Sequence, residues 1–240
     1  MAIVTGSSKG MRKAIALGLA QEGAKIVMCA RNREQLNMTA MEIQHSANTE
    51  VLAIVADLTR RDDIKALMSK AYTRFGRIDI LVNNTGGPPS STFLETSEED
   101  WDGVVNLLLM SVVNCCREVI PIMQKQKWGR IINMTSFAAK QPAERLILSN
   151  AIRAGIFGLS KTLSNELAVD GVLVNSVCPG WTLTTRVEEL AKAQAKATGN
   201  SQEDVICMWE NSIPLKRLAQ PKEIAALSHF RCVNTFPFFL

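Results

Sequence analysis

The stretch TGSSKGMRKAIALGLA, residues 5–20, decides how this chain is read. It follows a short apolar run, Ala2-Ile3-Val4, and opens an amphipathic helical pattern. Strand, glycine turn and helix in that order make a phosphate-binding arrangement. The first N–H groups of a helix lack intrahelical partners and carry partial positive charge, so a pyrophosphate can rest on them. Gly6 and Gly10 let the backbone turn tightly and approach such a ligand. Taken alone, the pattern also describes a plain turn between a strand and a helix.

Outward from this stretch, strand and helix signals alternate. Residues 25–30 read as a buried strand, 32–47 as a helix, and 51–56 as a strand ending at Asp57. Residues 60–75 read as a helix closed by Gly76, and 78–82 as a strand running into Asn83-Asn84-Thr85-Gly86-Gly87. Two further strands, 130–134 and 172–177, flank a helix at 149–168. Such alternation predicts parallel pairing with right-handed crossovers, an α/β doubly wound sheet of the Rossmann type in three layers. The stretch from about 98 to about 125 is apolar on more than one face (Val104, Leu107, Leu108, Leu109, Met110), which predicts a helix buried on several sides or against another subunit. Residues 185–212 are helical but more polar, as a flap over a site would be, and we place that flap at about 181–215. With no repeat, low-complexity tract or linker, the expectation is one domain over 1–240.

Composition narrows the function classes. Apolar residues make up 47% of 240 residues, enough for a sizeable core. The formal charge is +4, but Lys and Arg are interspersed with Asp and Glu, so no basic stripe points to nucleic acid. No C-x-x-C spacing occurs among Cys29, Cys115, Cys116, Cys178, Cys207 and Cys232, and most lie in apolar runs. Free thiols packed as small hydrophobes suit a reducing, cytoplasmic compartment. No secretory leader is read at the start, and no apolar run is expected to span a bilayer. His45 and His229 do not cluster with acids or cysteines, so no metal site is expected.

The ordered motifs resemble the short-chain dehydrogenase/reductase family, within it the branch related to 3-oxoacyl-acyl-carrier-protein reductases. The resemblance runs from Ala2 to about Leu227. Thr5-Gly6-x-x-x-Gly10 is similar to the family's cofactor loop, and Asn83-Asn84-Thr85-Gly86 to its NNAG segment. Pro179-Gly180 with Thr184 resembles the segment touching the nicotinamide end. Arg217-Leu218-Ala219-Gln220-Pro221, followed by Glu223-Ile224-Ala225, resembles a late family stretch. The resemblance implies cofactor contacts at Thr5, Gly6, Ser8, Lys9, Gly10, Met11, Arg31, Asp57, Leu58, Asn83, Gly86, Arg153, Pro179, Gly180 and Thr184, with Asp57 at the adenine ring.

The cofactor is chosen at the end of the second strand. In dinucleotide folds an acidic residue there binds the ribose hydroxyls and selects NAD. Here Ala30 is followed by Arg31, and Lys9 lies in the glycine loop. Two cations suit a 2′-phosphate, so NADP(H) is expected; the plain alternative is two solvated surface charges.

Carbonyl reduction needs a hydride, a proton and donors that hold the oxygen. The resemblance assigns these roles to Asn, Ser, Tyr and Lys, and matches Asn106 and Ser136. At the Tyr and Lys positions stand Ser149 and Arg153; the sole tyrosine is Tyr72, on another helix. A serine hydroxyl is a far weaker acid than a phenol, and arginine keeps its charge but does not shuttle a proton near neutral pH. Arg12 stands where the family has its third glycine, able to swing to solvent, reach the pyrophosphate or block the site. After Leu227 the chain, residues 228–240, departs from the family's final strand, which is expected to be missing or altered. Two readings follow. One is an oxidoreductase acting on a small carbonyl, such as a 3-oxoacyl group, or on an alcohol, where the apolar flap residues Trp181, Ile206, Met208 and Trp209 point either to a substrate with an apolar part or to ordinary packing. The other is a catalytically weak relative that serves as a nucleotide-binding sensor or partner subunit. Family members commonly pair through the long apolar helix and the 149–168 helix, so a homodimer or homotetramer is expected.

Overall fold

Ala2, Ile3 and Val4 form β1 (Ala2–Val4), and all three are fully buried in a computed structural model that describes residues 1–233. Successive strand side chains point to opposite faces. Ile3 packs with one core cluster and Ala2 and Val4 with another, so β1 lies in the middle layer of three. It pairs in parallel with β2 (Ile26–Ala30) on one side and β4 (Ile80–Asn83) on the other. With β3 (Val51–Val55), β5 (Gly129–Met134) and β6 (Val172–Val177), the six-stranded order is β3-β2-β1-β4-β5-β6, all parallel. The doubly wound sheet read from the sequence is therefore the observed one. Strand order reverses between β1 and β4, the place where such sheets open a crevice at their carboxyl ends.

Helices cover both faces. On one lie α1 (Gly10–Gln21), α2 (Arg33–Ala47) and the late helix α9 (Pro221–Val233), where Ile15, Leu19, Leu36, Ile43 and Ala225 pack on Ala2, Val4, Met28 and Val82. On the other lie α3 (Arg61–Phe75), a long composite helix, and α6 (Ile147–Leu167). The composite helix is α4 (Glu98–Val104), a π-helical stretch Val105–Met110, and α5 (Ser111–Gln126). As one run of 29 residues it is long and apolar enough by length and composition to cross a membrane, contrary to the expectation that no stretch would be. Leu108, Val112, Cys115, Cys116, Val119 and Met123 pack instead into the core against the sheet, which is how a core helix of an α/β domain meets the same criterion.

The region read as a flap is two helices, α7 (Thr185–Thr198) and α8 (Gln202–Ser212), separated by Gly199 in the left-handed conformation. They carry their own small core: Val187, Leu190, Ala191, Val205 and Trp209, closed by Leu146 and Leu218. Among the described residues no strand follows β6, so β6 is the outermost strand on its side. Residues 228–233 continue α9; residues 234–240 of the atypical end lie outside the described residues.

A tight corner returns the chain from α6 to β6. Gly171 has φ +73°, and a Cβ there would stand 2.5 Å from the Lys127 carbonyl oxygen. Both the dihedral and the space demand glycine. Gly171→Ala is expected to destabilise the fold by about 2 kcal/mol or more. That is a Tm lower by roughly 4–8 °C for a chain this size, read by thermal denaturation.

Candidate functional site

The carboxyl ends of β1, β2, β4 and β5 open into one cleft of about 660 Å³. Its floor begins at the glycine loop. Gly6 and Gly10 both have φ +61°, and a Cβ on Gly6 would stand 2.9 Å from the Asn84 carbonyl oxygen. The loop is tied down from beneath. The Thr5 hydroxyl donates toward the carbonyls of Val82 and Asn84 and accepts from the Asn84 N–H at 2.8 Å, while Ser7 N–H donates to the Cys29 carbonyl at 3.0 Å. Helix α1 then starts with no side-chain cap and no acidic residue in its first turn. Its free N–H groups and positive dipole end therefore remain for an anion. By contrast, Asn32, Ser97 and Ser201 cap α2, α4 and α8 with their own side chains.

Most residues singled out from the sequence meet here. Gly6, Ser8, Lys9, Gly10, Met11, Arg31, Asp57, Leu58, Gly86, Pro179, Gly180 and Thr184 line the cleft, as do Ser136, Ser149 and Arg153. Three do not. Thr5 is buried and spends its hydroxyl on the backbone, so it positions the loop rather than lining the cavity. Asn83, the last residue of β4, points into the core, where its amide donates to Asn133 Oδ1 at 2.8 Å; its neighbour Asn84 lines the cleft. Asn106 is exposed, and its amide donates to the Thr59 carbonyl at 3.1 Å. The cleft-facing residue on that turn is Leu107. Asn106 lies in the π-helical stretch, whose wider turns alter which side chain reaches a given face.

At one end, Asp57 keeps its carboxyl below the usual range, chiefly because Thr59 N–H donates to it at 2.9 Å. Arg31 and Lys9 are exposed at this rim. In the middle, Arg12 lies against Gly6, with its Nη1 2.9 Å from where a Cβ on Gly6 would be. Burial lowers the Arg12 guanidinium from its ordinary value, and it forms no ion pair among the described residues. Nor is the nearby Cys29 thiol a counter-charge, since burial pushes it up to about 11.

At the other end, the i, i+4 spacing puts Ser149 and Arg153 on one face of α6, and both are buried. Arg153 Nε donates to Ser149 Oγ at 3.0 Å. Its Nη1 donates to the Met134 and Thr135 carbonyls, and its Nη2 to the Gly86 carbonyl at 3.3 Å. Burial, then the charges of Arg186 and Arg12, pull this guanidinium down to about 10, so it remains a cation at neutral pH. Ser149 accepts from Arg153 and so keeps its own O–H to donate. Ser136 Oγ accepts from Ala138 N–H at 3.2 Å and likewise keeps a donor. Of the apolar flap residues, Trp181 lines the cleft, with Phe137 5.3 Å away and Trp209 stacked behind at 4.0 Å. Ile206 and Trp209 pack in the small core and Met208 is exposed, so these three serve ordinary packing or solvent.

Sequence reading missed Arg186, in the first turn of α7, which lines the cleft and donates to the Pro88 carbonyl. Its one signal is its position two residues beyond Thr184. Among the described residues no group of histidine, cysteine and acids could hold a metal ion.

A sequence profile described as short chain dehydrogenase matches residues 1–195. A 3-oxoacyl-[acyl-carrier-protein] reductase of Synechocystis is 36% identical over 231 residues, covering 96% of this chain and 87% of the relative. L-sorbose reductase from Gluconobacter frateurii, solved with NADPH and L-sorbose, superposes with a TM-score of 0.93 at 32% identity, covering all of this chain and 91% of that one. A variant of actinorhodin polyketide ketoreductase solved with NADPH has a TM-score of 0.94 at 31% identity, with 98% and 91% covered. With profile, relatives and fold in agreement over nearly the whole length, the chain belongs to the short-chain dehydrogenase family.

Proposed function

We propose that this protein is an NADP(H)-dependent oxidoreductase that reduces a small-molecule carbonyl, or oxidises the corresponding alcohol, by hydride transfer. The observation that carries this reading is the continuity of one cleft from Arg31, through the uncapped start of α1, to the hydroxyls of Ser136 and Ser149. An anionic dinucleotide fits that course. Lys9 and Arg31 would hold a 2′-phosphate, for which guanidinium offers paired donors. The glycine loop and Arg12 would hold the pyrophosphate, and Asp57 would meet the adenine. Pro179, Gly180 and Thr184 would frame the nicotinamide. The bound cofactor supplies the hydride.

The chain's own residues do the rest. Ser136 and Ser149 donate to the substrate oxygen. Arg153 donates to Ser149 and so stabilises negative charge that develops on that oxygen. Ser149 is too weak an acid to surrender its proton outright, so the proton reaching the alkoxide comes from water at the open side of the cleft. A second reading is kept by the same observation that weakens the first: Ser149 and Arg153 replace the acid and its lysine, so the chain would bind nucleotide and act as a sensor or partner subunit.

Fluorescence titration tests the cofactor. NADPH is expected to bind at least about tenfold more tightly than NADH, and Arg31→Ala to remove roughly 1.4 kcal/mol from NADPH binding alone. Equal binding of the two nucleotides would refute the choice.

Steady-state reduction of a ketone panel tests the chemistry. Ser136→Ala is expected to lower kcat/KM by about 10²- to 10³-fold, as loss of an oxyanion donor does. The double variant Ser149→Tyr with Arg153→Lys separates the two readings. Activity found only in that variant would identify the parent as a binding protein.

The long composite helix and α6, with Phe157 exposed on it, are proposed as the subunit interface of a homodimer or homotetramer. Light scattering at micromolar concentration is expected to return a multiple of the 26.4 kDa chain mass, and a monomer would rule this out.

A further inference from the structure

Five cations, Lys9, Arg12, Arg31, Arg153 and Arg186, and two carboxylates, Asp57 and Glu189, line the cleft proposed to hold the cofactor's phosphates. Lys9, Arg31 and Arg12 lie along the course proposed for those phosphates. Arg153 and Arg186 remain, and both reach the same short loop after β4, Arg153 at the Gly86 carbonyl and Arg186 at the Pro88 carbonyl. Arg186 lies so close over Gly87 that a Cβ there would meet its Nε at 3.1 Å. The two guanidinium groups therefore flank one wall of the cleft. Arg153 has no carboxylate partner among the described residues. Arg186 has only Glu189, 3.9 Å away, whose side chain is more than half exposed. Two like charges held in a shared, partly dry cavity repel, and an anion between them removes that cost.

The donors are also unequally spent. A guanidinium has five N–H donors. Arg153 uses four contacts to fix its place, on Ser149, Met134, Thr135 and Gly86. Arg186 uses one of its own on Pro88. Arg186 thus retains the paired donors that carboxylates take in bidentate fashion. Around it the wall turns apolar, with Phe137, Leu146, Trp181 and Leu190.

Resting on the reductase reading above, we propose that the substrate is an oxo acid: a carbonyl compound that carries its own carboxylate and an apolar chain. Arg186 holds the carboxylate, Arg153 adds charge, and Ser136 and Ser149 take the carbonyl oxygen. Hydride adds to the carbonyl carbon, the C=O π electrons move to oxygen, and water protonates the alkoxide, giving a hydroxy acid and the oxidised nicotinamide.

The test pairs acids with neutral partners: acetoacetate, 2-oxobutanoate and phenylpyruvate against their methyl esters, followed by NADPH consumption. Phenylacetate, which has no carbonyl, is titrated into the NADPH-loaded protein and read by thermal shift. The best acid is expected to exceed its ester in kcat/KM by about 10- to 100-fold, the worth of hydrogen bonds to a charged group. Arg186→Met should abolish that preference through KM and abolish the phenylacetate shift, and Arg186→Lys should restore part of both. Ester turnover equal to acid turnover overturns the oxo-acid proposal and leaves the reductase reading standing. Carboxylate binding lost in Arg186→Met, without turnover of any compound, upholds the anion site and removes the reductase reading. If Arg186→Met instead weakens NADPH binding about tenfold and leaves the acid preference intact, Arg186 serves the cofactor's pyrophosphate and the proposal falls.

Discussion

The constraint on which the site depends is positive charge enclosed with few carboxylates: Lys9, Arg12, Arg31, Arg153 and Arg186 line the cleft against Asp57 and Glu189. Arg12, Arg153 and Arg186 line one cleft, and burial lowers all three guanidinium groups from their ordinary value. An unpaired buried charge is costly, and folds usually remove it by pairing. This fold removes only part of it, with carbonyl oxygens on Arg153 and the exposed Glu189 3.9 Å from Arg186. The uncapped start of α1 adds to the same imbalance. Such a surplus is tolerable only where a ligand of opposite charge completes the site. The glycine loop, the helix start and the arginines thus act as one device for holding anions.

The replaced acid fits that device. A lysine beside a tyrosine serves proton transfer because it lowers the phenol's pKa. An arginine beside a serine cannot do this to useful effect, because the hydroxyl starts far too weak. What Arg153 can do is fix geometry. Three of its contacts join α6 to the segments at the ends of β4 and β5, and its Nε orients Ser149 so that the hydroxyl hydrogen is left for the cleft. In the reductase reading proposed above, such a pair would offer rigid charge placement in place of acidity, which suits stabilisation of an alkoxide more than delivery of a proton.

Much of this was legible in the sequence, for stated reasons. Alternating apolar strands and amphipathic helices determine a parallel sheet, and two-residue periodicity puts Ile3 on one face and Ala2 and Val4 on the other. The glycine loop, Arg31, Asp57, Ser136, Ser149 and Arg153, singled out by the resemblance, all line one cleft because the carboxyl ends of the strands and the helix starts that follow them converge there. Asn106, matched by the resemblance alone, does not line the cleft: it lies in the π-helical stretch Val105–Met110 and donates to the Thr59 carbonyl, while Leu107 faces the cavity. In the doublet Asn83-Asn84, one side chain had to face the core and one the cleft; nothing in their identity says which. Among the described residues one helix, Glu98–Gln126, satisfies a membrane-span criterion by length and composition, and its buried residues pack against the sheet, which composition cannot tell from lipid contact.

Arg12 shows why substitution at a glycine need not disable a phosphate cradle. The tight turns of the loop are made at Gly6 and Gly10, both at positive φ, and at Gly6 the Asn84 carbonyl oxygen would stand 2.9 Å from a Cβ as well. Arg12 stands in the first turn of α1, two residues after Gly10. Its guanidinium lies against Gly6 and lines the cleft, where it adds charge to that of the helix start. The same logic extends to the far end of the cleft, where Arg186 adds a second fixed charge on the substrate side of an otherwise familiar fold.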